Sequence, residues 1–143
     1  TPKPSSAASD VYKRQARRVF ARHERHARAT RLAVAGWGLE LLSLDPAAHS
    51  PALTAVLMPG GHGADALRKI ILDRFDMSLG QGLGKLTDRV FRIGHLGHFN
   101  DLTLCGTLAG VEMGLAAAGV PHRAGGMQAA MEYLARTPEG ATA

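Results

Sequence analysis

The residue best placed for chemistry in this sequence is Arg92, which interrupts an apolar run between two glycine-containing turns. It alternates with the apolar residues Phe91 and Ile93. Successive side chains of a β-strand point to opposite faces, so this alternation predicts that Arg92 lies on the face away from its two neighbours. A guanidinium there is either simply solvated or able to hold a carboxylate through two parallel hydrogen bonds. The residues alone leave both interpretations open.

The glycine-rich segment 80–85 precedes this strand and invites comparison with phosphate-binding loops. A P-loop has four residues between its first glycine and the Gly-Lys pair, followed by Ser or Thr. Here three residues separate Gly80 from Gly84, and Leu86 follows Lys85. The dinucleotide pattern fails as well, because Lys85 stands where its third glycine belongs. A flexible turn and a mobile loop bordering a ligand site both remain compatible with the segment.

Histidine and cysteine give weaker signals. The pairs His23 with His26 and His95 with His98 each lack a convincing third ligand, so no metal site is predicted. Cys105 is the single cysteine and lies in a leucine-rich segment, which favours a buried structural thiol over a nucleophile. No catalytic residue is assigned within the chain.

Composition indicates one domain with a basic first helix. The chain has 143 residues, 45% of them apolar, and 17 Lys and Arg against 12 Asp and Glu. An apolar stripe over residues 16–35 predicts a helix, with six arginines expected on its opposite half: Arg17, Arg18, Arg22, Arg25, Arg28 and Arg31. A solvated face is the simplest interpretation. One functional hypothesis is therefore that the chain is a basic module, which contacts RNA or an acidic protein through these arginines.

Residues 1–15 do not resemble the remainder of the chain. Residues 5–15 lack apolar periodicity and are similar to the in-frame translation of a transposon-type sequencing adapter. We therefore expect residues 1–15 to be a non-native tail of a truncated gene product. The sequence contains neither an apolar run long enough to span a membrane nor a secretory signal, which favours a cytoplasmic location.

The rest of the chain is predicted to form an α+β domain. A strand begins at Leu39, and further strands are expected over residues 54–58, 77–79 and 90–93. Helices are expected over residues 64–75, after the N-cap candidate Asn100, and around Met127 to Leu134. The second of these helices has an apolar stripe formed by Leu104, Leu108, Val111 and Leu115. This order predicts a mainly antiparallel sheet with helices on one face.

Several segments in this order resemble the class V aminotransferases. The resemblance covers about residues 16–134 and is carried by Phe91-Arg92-Ile93-Gly94-His95-Leu96-Gly97, with Gly82-Leu83-Gly84, Arg22-His23, Trp37-Gly38-Leu39 and the helix from Leu108 to Leu115. It implies the small C-terminal domain of a fold-type I pyridoxal phosphate enzyme over residues 39–143, preceded by an interdomain helix over residues 16–38.

The resemblance also implies an activity. Such enzymes are normally homodimers that transfer an amino group from a donor such as serine or alanine to glyoxylate, and Arg92 matches the arginine that binds the substrate α-carboxylate. Gly82 and Gly84 match a loop near the substrate entrance. Lys69 and Lys85 are the only lysines after residue 15, and neither matches the lysine that binds pyridoxal phosphate. We therefore expect the cofactor to be bound mainly by a missing large domain, and the fragment to be inactive alone.

Overall fold

The computed structural model describes residues 6–42, 53–94 and 100–138. The helices of the described part are α1 (Ser6–Trp37), α2 (Ala64–Phe75), α3 (Asp101–Ala117) and α4 (Gly126–Arg136), and the strands are β1 (Glu40–Leu41), β2 (Leu53–Leu57), β3 (Gly80–Gln81) and β4 (Val90–Gly94). The α+β prediction is confirmed. None of these helices combines the length and the apolar character needed to cross a membrane.

The strands form one antiparallel sheet in the order β1-β2-β4-β3. Strand β4 is therefore flanked on both sides. Its register sets Thr54 opposite Ile93 and Val56 opposite Phe91, and all four side chains are buried on one face. That face packs against the helices, as the alternation of apolar residues in β4 predicts.

A single apolar core joins the helices to this face of the sheet. Phe91 and Ile93 of the sheet meet Leu67 and Ile71 of α2 and the predicted stripe of α3, of which Leu104, Leu108, Val111 and Leu115 are all fully buried. Asn100 caps α3, since its side-chain oxygen accepts a hydrogen bond from the backbone amide of Thr103 at 2.8 Å. The predicted bounds of α2 also agree with the structure.

Helix α1 differs from its prediction in extent and in the residues that it buries. It begins at Ser6 rather than near Ala16, and no residue of its first half is buried. Val19 and Phe20, which belong to the apolar stripe predicted over residues 16–35, are 44% and 61% exposed. No described element covers this half of the helix. Burial begins at Arg25, where α3 and α4 pack against α1.

Strand β3 also departs from the sequence prediction, which placed it at residues 77–79. The ladder forms at Gly80 and Gln81, which pair with Arg92 and Phe91. Leu79 is buried in the core, and its carbonyl accepts a hydrogen bond from Arg68 Nε at 2.8 Å. The apolar residues of this segment therefore serve core packing, and the glycine beside them pairs with the central strand.

Candidate substrate-carboxylate site

Arg92 occupies the middle of β4, on the face of the sheet opposite the core. Its neighbours along the strand, Phe91 and Ile93, are fully buried, whereas Arg92 is only half-buried. Directly across the ladders lie Ala55 of β2 and Gly80 of β3. Both residues are small, so Arg92 has the largest side chain on this part of the open sheet face.

Gly80 provides the space into which the Arg92 side chain extends. A Cβ atom built on Gly80 would lie 3.0 Å from Arg92 Cβ and 3.1 Å from Arg92 Nε. The Nε atom is buried and has no hydrogen-bond acceptor among the described residues. An enclosed donor without a partner normally costs about 1–3 kcal/mol, so the fold keeps this side chain in place at some cost.

No described acid neutralises Arg92. The ion pairs in the described part of the chain link other residues: Arg25 and His26 with Asp101, Arg31 with Glu24, Arg68 with Asp65, and Lys69 with Asp73. The positive charge of Arg92 is therefore uncompensated within residues 6–42, 53–94 and 100–138. A planar guanidinium in this state is well suited to bind a carboxylate.

The glycine-rich segment leaves β3 immediately beside Arg92 and folds into consecutive tight turns. A 3-10 helix spans Gly84–Leu86, and the amides of Leu86 and Thr87 donate to the carbonyls of Leu83 and Gly84 at 3.0 and 3.1 Å. Gly82 is buried, and a Cβ there would lie 2.1 Å from the carbonyl oxygen of Leu86. Close backbone packing therefore explains why residue 82 is a glycine. The next residue, Leu83, is 64% exposed.

Of the two histidine pairs, the structure describes only His23 with His26. Among the residues that the structure describes, no group of three or more His, Cys, Asp or Glu side chains is placed to hold a metal ion. His95 and His98 lie outside the described residues. His26 is buried, with Nε2 2.9 Å from Asp101 Oδ1. Burial, followed by the charges of Arg22 and His26, lowers the pKa of His23.

A second charged cluster, built around Arg25, was wrongly predicted to be a solvent-facing part of α1. The Arg25 side chain is buried and forms a bidentate pair with Asp101, with Nη1 to Oδ1 at 2.5 Å and Nη2 to Oδ2 at 2.9 Å. Nη2 also donates to the carbonyl of Leu134 at 2.9 Å, and Nε donates to the carbonyl of Thr137. The hydrogen bond from Arg25, opposed by partial burial, lowers the pKa of Asp101.

A sequence signal for this burial exists. Arg25 precedes Ala29, Ala33 and Trp37 at intervals of four residues, and all three are fully buried. Four-residue spacing puts side chains on one face of a helix, so Arg25 extends the buried stripe. The six arginines between Arg17 and Arg31 are therefore not one solvated surface: Arg25 is buried, Arg22 and Arg31 are half-buried, and Arg17, Arg18 and Arg28 are exposed.

The two lysines after residue 15 do not fit a cofactor held as a Schiff base. Lys69 is exposed on α2 and donates to Asp73 at 3.1 Å, and Lys85 is exposed in the turn after β3. Neither lies in an enclosed pocket with Arg92. The Cys105 thiol is half-buried, and burial, followed by the charge of Asp101, raises its pKa, which disfavours the reactive thiolate.

The chain is similar in sequence to glyoxylate aminotransferases. It is 40% identical over 124 residues to L-aspartate-glyoxylate aminotransferase of Paracoccus denitrificans, with 86% of this chain and 31% of that protein covered. It is 42% identical over 121 residues to serine-glyoxylate aminotransferase of Methylorubrum extorquens, with 84% of this chain and 30% of that protein covered. No protein-family model matches the chain.

A comparison of structures also relates the chain to aminotransferases. The crystal structure of pyridoxamine-pyruvate aminotransferase from Mesorhizobium loti superposes with a TM-score of 0.80 and 27% identity, covering 96% of this chain and 38% of that one. The chain belongs to the class V aminotransferases. It spans about 30% of the length of the curated relatives described above, and its α+β architecture is that of a small domain of these enzymes.

Proposed function

We propose that this class V aminotransferase chain supplies the substrate-carboxylate-binding part of an enzyme that transfers an amino group to glyoxylate. The single observation that carries the proposal is Arg92, a half-buried guanidinium on the open sheet face with no partner among the described residues. Amino donors of such a reaction and glyoxylate both have a carboxylate next to the reacting carbon. One arginine can therefore serve both half-reactions.

Arg92 acts by holding that carboxylate in a fixed orientation. Its planar fork binds both oxygens at once, and the strand beneath it is flanked by paired neighbours that prevent its displacement. Fixing the carboxylate orients the bond that must be broken at the substrate Cα, which is the contribution that positioning makes to the rate. Pyridoxal phosphate, when bound, supplies an electron sink for negative charge at Cα.

The cofactor itself is assigned to residues other than those described. Lys69 and Lys85 do not fit the Schiff-base role, and the relatives are about three times as long as the matched region. We infer that the 143-residue chain alone has no transaminase turnover. Incubating it with pyridoxal phosphate, L-serine and glyoxylate should yield no hydroxypyruvate, and measurable glyoxylate-dependent turnover would contradict this part of the proposal.

The donor is proposed to be serine, with alanine as an alternative. The M. extorquens relative is a serine-glyoxylate aminotransferase, which supports this choice, whereas the P. denitrificans relative is named for L-aspartate at nearly the same identity. Comparing initial rates with serine, alanine and aspartate as donors, in a restored full-length enzyme, will decide the question. A clear preference for aspartate would replace serine in the proposal.

A chimeric enzyme tests the role of Arg92 directly. Residues 16–143 replace the matching region of the M. extorquens enzyme, and Arg92→Ala is compared with the unmodified chimera. We expect kcat/KM for serine to fall by about 30-fold or more, which corresponds to roughly 2–5 kcal/mol for the loss of one partner of a charged pair.

Two further variants control this measurement. Arg92→Lys should recover only part of the loss, because an ammonium keeps the charge but not the bidentate geometry. Arg89→Ala removes an exposed arginine from the turn that precedes β4 and should leave kcat/KM within about twofold. Equal kinetics for the unmodified chimera and Arg92→Ala would remove Arg92 from the substrate site.

The proposal extends to domain organisation and assembly. We infer that residues 1–15 are non-native, that residues 16–38 form an interdomain helix and that residues 39–143 form the C-terminal small domain. The exposed first half of α1, with Val19 and Phe20 uncovered, supports a helix that packs against a larger body. We further propose a homodimer, which the family resemblance implies, and a cytoplasmic location. Sedimentation of the chimera should give a dimer, and a monomer with full activity would contradict that assembly.

A further inference from the structure

We propose that Gly80 is a positioning residue for Arg92, and that the absence of a side chain at this position sets the direction of the substrate-binding guanidinium. The inference rests on the proposed role of Arg92 and adds a second residue to the same site. It concerns space rather than backbone conformation, because Gly80 does not have a positive φ. A glycine in a strand otherwise weakens it, so its presence in β3 calls for a packing reason.

The first step of the argument is the close approach of the two residues. Gly80 pairs directly with Arg92 across the β3-β4 ladder. A Cβ at Gly80 would lie 3.0 Å from Arg92 Cβ and 3.1 Å from Arg92 Nε. Both distances are shorter than the roughly 3.5–4.0 Å at which carbon atoms attract one another. The Arg92 side chain therefore lies over the backbone of Gly80, in space that any other residue would fill.

The second step is the asymmetry of the two neighbouring strands. On the β2 side, Ala55 stands opposite Arg92 and presents a Cβ atom, whereas Gly80 on the β3 side presents none. The free space beside Arg92 therefore lies toward β3. The side chain follows that space, and its direction is determined by the difference between an alanine and a glycine.

The third step is the state of the guanidinium in that position. The Nε atom is buried and has no acceptor in the described part of the chain. A ligand from solvent therefore approaches the outer end of the fork, and the terminal nitrogens Nη1 and Nη2 are the pair that receives the two carboxylate oxygens. Gly80 thus selects which edge of the guanidinium is offered to the substrate.

Gly94 provides a matched control on the same strand face. It lies two residues after Arg92 in β4, so both positions face the same side of the sheet. A Cβ at Gly94 would have no atom within 4 Å, and Gly94 does not have a positive φ. Gly94→Ala therefore adds the same methyl group as Gly80→Ala without touching Arg92.

The experiment follows the Arg92 Nε-H group by NMR in the 143-residue chain. Its resonance is assigned by its loss in Arg92→Lys, and the probe ligand is glycolate, an unreactive 2-hydroxy analogue of glyoxylate. We expect Gly80→Ala to speed solvent exchange of this proton at least tenfold and to weaken glycolate binding about tenfold, since small displacements of a positioning group have large effects. Gly94→Ala should change neither quantity more than twofold.

A second variant avoids dependence on the added methyl group. Ala55→Gly opens space on the β2 side, so the guanidinium should become free to turn toward either strand. We expect faster Nε-H exchange and weaker glycolate binding than in the wild type, with backbone amide shifts preserved outside the sheet. In the Arg92→Lys background, neither Gly80→Ala nor Ala55→Gly should alter the affinity for glycolate.

The outcomes separate this inference from the proposed function. Unchanged Nε-H exchange and glycolate affinity in Gly80→Ala and in Ala55→Gly would overturn the positioning role of Gly80. Equal glycolate binding by the wild type and Arg92→Lys would instead contradict Arg92 as the carboxylate site. In that case the exchange rates still show whether Gly80 directs the side chain.

Discussion

Arg25 is buried and Arg92 is half-buried, and the fold treats their guanidinium groups in opposite ways. Arg25 is 7% exposed, pairs with both oxygens of Asp101 and donates to two backbone carbonyls near the end of α4. Arg92 has a buried Nε without an acceptor and no described ion-pair partner. The first guanidinium joins three helices, whereas the second is left with unused hydrogen-bonding capacity on an open sheet face.

The difference shows how to separate a structural arginine from a binding one in a single domain. Enclosed guanidinium groups that serve stability have their donors satisfied by the same chain. A guanidinium whose buried Nε has no acceptor costs stability in the isolated domain, whereas its terminal nitrogens stay available to a ligand. Substitutions at the two positions should therefore affect different properties.

The largest effect on stability is expected at Arg25. Arg25→Ala should lower the free energy of unfolding by about 3 kcal/mol, because it leaves two carbonyls without their donor and Asp101 with His26 as its remaining partner. The partial exposure of Asp101 holds the value at the lower end of the usual range for buried pairs. Urea denaturation measures the change, and Arg28→Ala, at an exposed position of the same helix, should cost less than about 0.5 kcal/mol. Equal losses of unfolding free energy in Arg25→Ala and Arg28→Ala would show that the buried Arg25 stabilises the fold no more than an exposed arginine does.

Acid should weaken the same cluster. The hydrogen bond from Arg25 lowers the pKa of Asp101, so the stabilisation is present above the ordinary Asp value of about 3.9 and is lost as the pH falls through the lower folded-state pKa. The pKa of His23 is also lowered, by burial first, so protonation of His23 favours the unfolded chain below about pH 6.5. Unfolding midpoints between pH 7 and pH 2 will record both effects.

Asp101→Asn separates the carboxylate from the remaining groups. This variant should be less stable than the wild type at pH 7, and its stability should change less between pH 5 and pH 2. Some acid dependence should remain, because burial raises the pKa of Glu112 but the hydrogen bonds from Trp37 and from backbone amides together lower it further, so that its net pKa is lowered. An identical pH profile for Asp101→Asn and the wild type would show that the Arg25 pair does not control acid stability.

A smaller change is expected at Arg92. Arg92→Ala removes a buried donor that has no described acceptor, so the loss of packing is partly offset and the free energy of unfolding should change by less than about 1 kcal/mol. The same substitution should abolish the Arg92-dependent binding of glycolate. Thermal and urea unfolding measure the first quantity, and a destabilisation as large as that of Arg25→Ala would place Arg92 among the structural arginines.

The smallest effect is expected for an ion pair on the surface. Lys69 and Asp73 are 76% and 62% exposed and lie one turn apart on α2. Lys69→Ala should cost about 0.3–0.5 kcal/mol at low salt, and the difference should disappear at high ionic strength. If Lys69→Ala instead lowered the free energy of unfolding by more than about 1 kcal/mol at every salt concentration, solvent exposure would not explain why the Lys69 pair and the Arg25 pair differ in strength.

Local patterns account for the elements that were predicted well. Helix α2 has the predicted bounds, Asn100 caps α3, and the four stripe residues of α3 are buried, because capping and helical periodicity depend on residues three or four positions apart. Strand β3 was misplaced by two to three residues, since Leu79 is used in the core and Gly80 in the ladder. The predicted start of α1 was also wrong, because the helix begins at Ser6 rather than near Ala16.

The amino-acid sequence by itself determined the class of the domain, the opposite faces of Arg92 and its apolar neighbours, and the family resemblance, because these follow from short-range alternation and the order of motifs. Tertiary structure alone decided which arginine has partners. Arg25 meets Asp101 across 76 residues and Leu134 across 109, whereas Arg92 meets Gly80 and Ala55 through strand pairing and no described acceptor. Local residue spacing does not predict which hydrogen-bond acceptors chain folding will bring to a side chain. The difference between the paired Arg25 and Arg92, which has no ion-pair partner among the described residues, is therefore a property of the packed domain.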